Sequence, residues 1–188
     1  APLEELLGQS NLKGTPVQQK LDYVYKNGRK LLHIVNQLLD FRKAEAGVMP
    51  IHVAQVNVEG LLQDAFALFK ENAQKRAISF HIKSDLEGRL FPADRTYVET
   101  ILMNLLSNAF KFTPDGGSIL LSLWTEGDTY GFTVRDSGIG MSPEQLTRIF
   151  ERFYQVDGQR KGTGIGLSLV KMLVEKHHGK IAASQTEE

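Results

Sequence analysis

Asn104 and Asn108 stand one helical turn apart, with Lys111 three residues further on. An asparagine amide offers a divalent cation an oxygen without adding negative charge, and a lysine can offset phosphate as a mobile point cation. A second segment, Asp136-Ser-Gly138-Ile139-Gly140-Met, sets a carboxylate beside two glycines. That carboxylate can accept a hydrogen bond from the exocyclic amine of a nucleobase, and residues without side chains let a flat base lie close to the backbone. The third, Gly162-Thr163-Gly164-Ile165-Gly166-Leu167, runs into an apolar stretch containing Leu169, Val170, Leu173 and Val174. Unpaired amides at such a helix start attract anions. Each segment also has an ordinary reading: a polar helix flank, a turn after a strand, a flexible turn. Their occurrence together, in this order, points to a phosphorylated ligand and a cation.

The elements that must carry these residues can be read from periodicity. Helices are expected near Val58–Lys75, Arg95–Phe112, Pro143–Phe150 and Ile165–His177. Strands are expected at Ile51–Val56, Ile78–Ile82, Ser118–Thr125, Tyr130–Arg135 and Lys180–Ala183. At roughly 100° per residue, Val98, Ile101, Leu102, Leu105, Ala109 and Phe112 share one stripe, and Asn104, Asn108 and Lys111 fall on the stripe beside it. Phe112 can either pack near a base or fill the core. Tyr130, Phe132 and Val134 alternate along a strand and should face one side. Ser142-Pro143-Glu144-Gln145 reads as an N-cap, a proline at the first helical position and a capping-box glutamine, a structural role for Ser142. Helices alternating with strands suggest an α+β fold, a two-layer α/β sandwich with a mixed sheet and helices on one face.

Val17 to Glu45 reads differently. It holds no proline and one glycine, and Leu21, Val24, Gly28, Leu31, Val35 and Leu38 form a narrow apolar seam suited to a helical bundle. Gly47-Val-Met-Pro50 then marks a boundary, which divides the chain into 1–48 and 49–188. The 188 residues are 41% hydrophobic and 23% charged, with 22 basic against 22 acidic side chains. A net charge of zero argues against a general nucleic-acid surface. The absence of cysteine excludes disulfides and thiolate metal sites. No apolar run approaches the ~18 residues of a membrane span. Because the chain begins at Ala1, it is expected to be an excised piece of something longer, whose parent could be anchored in a membrane, with this part cytoplasmic.

The ordered set Asn104-Leu-Leu-Ser-Asn108-Ala-Phe-Lys111, Asp136 to Met141 and Gly162 to Leu167 resembles the ATP site of the sensor histidine kinases. These belong to the wider family that includes gyrase-type and chaperone-type ATPases. The resemblance implies ATP and Mg²⁺ as ligands, Asn108 as the direct metal ligand and Asn104 as a supporting metal or water contact. It extends the ATP-binding set to Lys111, Phe112, Asp136, Gly138, Ile139, Gly140, Phe153, Tyr154, Lys161, Gly162, Thr163, Gly164, Ile165, Gly166 and Leu167. It makes Phe150-Glu-Arg-Phe153-Tyr154 an aromatic element and Gln155–Lys161 a short lid, with Phe150 and Phe153 packing at the lid's base. Arg160 and Lys161 can reach phosphate or remain solvated. The glycine segment is not a dinucleotide fingerprint, since its glycines are two apart and no strand directly precedes them.

Within that family, ATP-hydrolysing members generally place a water-activating glutamate four residues before the metal-binding asparagine. Here that position is Asn104, whose amide is no general base. The resemblance therefore implies phosphoryl transfer to a side chain, with residues 1–48 the remnant of a dimeric phosphoacceptor bundle. His33, His52, His81, His177 and His178 all lack the family's acceptor context. His33 reads as a surface residue, and His177 as a helix-end residue with no metal role. Ala1–Leu7 would be the tail of the acceptor helix, so no catalytic residue is assigned and the fragment alone is not expected to phosphorylate itself. The family usually adds a strand after Ala183, and that strand is expected to be missing. Implied partners are a response-regulator receiver domain and a second copy through the bundle, and Asp40–Glu45 resembles hybrid sensors. Rival readings are an ATP-hydrolysing clamp, a non-catalytic binding or dimerisation module, and a serine kinase of the same fold.

Overall fold

The computed structural model describes residues 15–45, 50–84, 88–156 and 163–185. The chain divides into two compact units, Ala1–Met49 and Pro50–Glu188. The described residues of the first form the helix α1 (Pro16–Glu45), whose first turn is capped where Gln18 N–H donates to Thr15 Oγ1 at 3.2 Å. At about 1.5 Å per residue it is roughly 45 Å long. Val24, Leu31 and Val35 of the expected seam are exposed, as are Val17, Leu32 and Leu39. The side chains of His33 and Leu38 lie outside the described residues, as do residues 1–14 and the 46–49 boundary.

The second unit runs β1 (Ala54–Asn57), α2 (Val58–Lys75), β2 (Ser79–Ser84), β3 (Leu90–Ala93), α3 (Arg95–Phe112), β4 (Ser118–Glu126), β5 (Thr129–Asp136), α4 (Pro143–Arg148) and α5 (Gly166–Lys176). β1 pairs antiparallel with β3. β2 lies parallel to β4, and β4 antiparallel to β5. Strand β4 shows why one face is covered: Ile119, Leu121 and Leu123 are buried, whereas Leu120 and Trp124, pointing the other way, are exposed. Tyr130, Phe132 and Val134 of β5 pack on the same covered face, as their alternation requires. Burial there holds the Tyr130 hydroxyl above the usual tyrosine range. The helices meet this face through aromatic rings: Phe66 lies 4.6 Å from Phe80, Phe69 4.9 Å from Phe110, and Phe80 5.1 Å from Phe110, joining α2, β2 and α3. The observed architecture is thus α+β, with a three-stranded mixed sheet in the order β2-β4-β5 and a separate two-stranded sheet of β1 and β3, where a single mixed sheet was expected, and with helices packed on the buried face.

Both long helices start where the sequence supplies a cap. Asn57 Oδ1 accepts from Gly60 N–H at 2.9 Å, and Asp94 Oδ1 from Tyr97 N–H at 3.2 Å. Ser142 and Gln145 close the expected reciprocal capping box at α4. Four expectations are corrected. The strand expected at Ile51–Val56 starts later, at Ala54, because His52 N–H is drawn away to Asp94 Oδ2 at 2.7 Å. Strand β3 was not expected; its proline faces outward and its partner β1 lies more than thirty residues upstream. Lys180–Ala183 forms no strand: this stretch offers only Ile181 as a bulky β-former, and its alanines are exposed. In α3 the expected Val98, Ile101, Leu102 and Ala109 are buried, but Leu106 and Phe110 join them in place of Leu105 and Phe112, which are half-buried. The helix is flanked by α2, β5 and α5, so its apolar surface is wider than a single stripe.

Arg76, just past α2, closes the carboxyl end of α3. Its guanidinium donates to Phe110 O, to Thr113 O at 2.7 Å and to Asp115 Oδ1 at 2.7 Å, while its own carbonyl accepts from Gly116 N–H at 3.0 Å. These bonds satisfy helix-end carbonyls that would otherwise lack partners. Replacing Arg76 by alanine is expected to lower stability by about 2 kcal/mol, because hydrogen bonds to a charged donor are lost at a half-buried helix end. Urea denaturation checks this, and an unchanged midpoint would contradict the capping role.

Candidate functional site

Helix α3 is the rail along which the predicted residues are placed. Asn104, Asn108 and Lys111 are half-buried on the edge of its packed face. Asn104 Nδ2 donates to Thr100 O at 2.8 Å. With the nitrogen committed to its own helix, the amide oxygen is the atom turned toward the neighbouring element. That neighbour is Gly166, the first residue of α5: a Cβ placed there would lie 2.8 Å from Asn104 Oδ1. The oxygen stripe and the glycine helix start are therefore in contact.

The far end of α3 meets the turn after β5. A Cβ on Gly138 would lie 3.0 Å from Phe112 O and 2.4 Å from Asp136 Oδ1. Asp136 is exposed at the strand end, and its Oδ1 accepts from Gly138 N–H at 2.9 Å, forming a local turn and leaving the other carboxylate oxygen for an outside donor. Ser137 braces the same turn, since its hydroxyl accepts from Ser118 N–H at 2.8 Å while Ser137 N–H donates to Ser118 O at 3.0 Å. Gly140 turns with φ of +67°, and Ile139 beside it is 62% exposed. Phe112 is half-buried, with Lys111 Nζ 4.5 Å above its ring. From Asn104 to Phe112 the helix advances about 12 Å, so the two glycine segments stand at separated stations on one helix face.

The third segment is anchored through Phe153. Gly164 has φ of +70°, and a Cβ on it would lie 2.6 Å from the Phe153 backbone, whose N–H donates to Gly164 O at 2.9 Å. Phe153 is itself in the left-handed region at φ 59° and 64% exposed, a strain of the kind found at functional sites. Arg148 stacks 4.5 Å over the Tyr154 ring. Thr163 Oγ1 accepts from Ile165 N–H at 3.3 Å, and Ile165, buried, gives α5 no side-chain cap. The first-turn amides of α5 thus await an acceptor. Leu167 is half-buried. Arg160, Lys161 and Gly162 lie outside the described residues.

One groove opens beside the turn after β5, lined by Ile139, Gly140, Met141, Leu146 and Gln185 among others. It does not take in the asparagines or the start of α5, which meet by direct packing. As a donor set, neutral amide oxygens fit a hard cation that shares its coordination with phosphate and water. Among the described residues no group of three or more His, Asp or Glu is placed to hold a metal. Sequence reasoning missed Ser137 and Phe153's backbone role. Only the residue order Asp-Ser-Gly hinted at the first, and nothing local signalled the second.

Comparison with known proteins is consistent with this geometry. A family described as "Histidine kinase-, DNA gyrase B-, and HSP90-like ATPase" matches residues 93–188. Sensor histidine kinase TmoS of Ectopseudomonas mendocina is 38% identical over 97% of this chain, which spans 19% of that protein. Histidine kinase P4 of Formosa agariphila is 34% identical over 96% of this chain, which spans 14% of it. The solved structure of full-length ShkA in complex with AMPPNP superposes with a TM-score of 0.79 at 30% identity, over 98% of this chain and 40% of that one. The chain therefore spans well under half the length of these relatives.

Gly164→Ala tests the anchor. A side chain in the left-handed region costs about 1–2 kcal/mol, and the clash with Phe153 adds to it. A loss of at least that size is expected in thermal or urea unfolding. A neutral substitution would show that Gly164 does not pack as described.

Proposed function

The chain belongs to the histidine kinase-, DNA gyrase B- and HSP90-like ATPase family, and from that premise we propose that it binds Mg-ATP and, in the whole protein, passes the γ-phosphoryl to a histidine. Its relatives support a histidine-kinase type of ATP-binding catalytic domain. Residues 49–188 act as that domain, and residues 1–48 as part of the dimerising bundle that carries the acceptor. The bond between the β–γ bridging oxygen and γ-phosphorus breaks, a phosphorus–nitrogen bond forms on the imidazole, and ADP leaves. The phosphoryl group then passes to an aspartate of a response-regulator receiver domain. No described helix is long and apolar enough to cross a membrane; we place this part in the cytoplasm of a sensor whose own anchoring is separate.

Each group has a task in this reading. Asp136 accepts from the adenine amine, while Gly138, Ile139 and Gly140 give the ring a flat, close surface. Phe112, Phe153 and Tyr154 flank the base and ribose. The amides of Thr163 to Leu167 and the charges of Lys111 and Lys161 hold the phosphates. Asn108, with Asn104 in support, would hold Mg²⁺, which when bound neutralises charge on the phosphate oxygens. The observation that carries the reading is the contact of the Asn104 amide with the first residue of α5, which sets a neutral oxygen donor beside an uncapped helix start. An amide at that place also argues for transfer to a side chain over hydrolysis, because it cannot take a proton from water.

Calorimetry with Mg-ATP tests the proposal. Asn108→Ala and Asp136→Ala are each expected to weaken binding by about tenfold or more, equivalent to one charge-assisted contact. The first effect should shrink when Mg²⁺ is chelated and the second should not. Equal affinity in both variants would end the assignment.

A further inference from the structure

His177, at the carboxyl end of α5, makes two hydrogen bonds through its ring nitrogens. Its Nδ1 lies 2.8 Å from Leu173 O, an acceptor, so that nitrogen must carry the proton. Its Nε2 lies 3.0 Å from the Asp94 backbone N–H, a donor, so that nitrogen must accept. The ring thus clamps the end of α5 to the residue that caps α3. Its edge also meets the Tyr97 ring at 5.9 Å.

Asp94 is a fixed post. It is 4% exposed, its Oδ1 accepts from Tyr97 N–H and its Oδ2 from His52 N–H at 2.7 Å. Tyr97 in turn donates its hydroxyl to Pro50 O at 2.6 Å. Helices α3 and α5 are thus pinned at two stations: Asp94 to His177, and Asn104 to Gly166. Because the carboxyl end of α5 meets the amino end of α3, the two helices run antiparallel. Ten residues separate the stations on α3, about 15 Å, and eleven on α5, about 16.5 Å. The spans agree to within one residue's rise.

We propose that His177 is a positioning residue that sets the axial register of α5 on α3, and through it the placement of the phosphate-binding helix start against Asn104. This rests on the nucleotide reading above. A helix free to slide by a fraction of a turn would carry the Gly164–Gly166 amides away from the asparagine stripe, while the turn after β5, held by Ser137 and Gly138, would stay in place. Losing the His177 bond should therefore harm the phosphate end of the site and spare the base end.

The test compares Mg-ATP and adenosine titrations, followed by the backbone amide signals of Gly138, Gly140 and Gly166, in wild type, His177→Gln, His177→Asn and His177→Leu. Glutamine can still present an acceptor to Asp94 N–H. Asparagine is too short to reach it but can still donate to Leu173 O, which keeps a milder lesion available if the leucine variant fails to fold. For His177→Asn and His177→Leu, Mg-ATP affinity should fall by about tenfold, the size of a lost hydrogen bond or somewhat more, with adenosine affinity changed by less than about threefold. His177→Gln should stay near wild type for both ligands. Unchanged Mg-ATP affinity in His177→Asn, or an equal loss for both ligands, overturns the register role. Wild-type protein that responds to neither ligand would instead refute the nucleotide reading itself.

Discussion

The start of α5 lies against α3 at a residue without a side chain: a Cβ on residue 166 would stand 2.8 Å from the Asn104 amide oxygen, which would have to turn aside. This contact joins two chemistries that are weak alone. A helix start attracts any anion, and an asparagine stripe is usually a solvated flank. Set against each other, they supply what the proposed nucleotide reading calls for: backbone amides for a phosphate chain on one side and neutral oxygens for a cation on the other.

Most of the remaining structure keeps α3 still while that contact is made. Asp94 caps its start and Arg76 its end, and the aromatic cluster of Phe66, Phe69, Phe80 and Phe110 seats its inner face on the sheet. The turn after β5 is braced by reciprocal Ser118–Ser137 bonds, so the Asp136 carboxylate has a fixed direction. Around Phe153 the chain is tied by the backbone bond from Phe153 N–H to Gly164 O and by Arg148 over the Tyr154 ring.

Much of this was legible in the chain because the signals were local. The limits of α2 and α3 follow from their apolar period, and the capping box at α4 from four consecutive residues. What stayed hidden depends on distant partners. Strand β3 exists because β1 pairs with it, and its proline argues against a strand when read alone. The burial of Leu106 and Phe110 in place of Leu105 and Phe112 follows from α3 being covered on more than one side, which a single-stripe reading cannot register. The Asp94–His177 bond joins residues 83 apart, and Arg76 reaches carbonyls 34 and 37 residues away. No periodicity announces such bonds. Conversely, Lys180–Ala183 had the pattern of a strand without the side chains to hold one.

The central claim is that one nucleotide touches all three segments at once. A crystal structure of this chain with Mg-ATP bound tests it most directly. The account predicts density with the adenine amine at Asp136, the phosphates at the first turn of α5 and the cation at the Asn108 oxygen. A nucleotide bound elsewhere, or one touching the turn after β5 while its phosphates point away from α5, would contradict it.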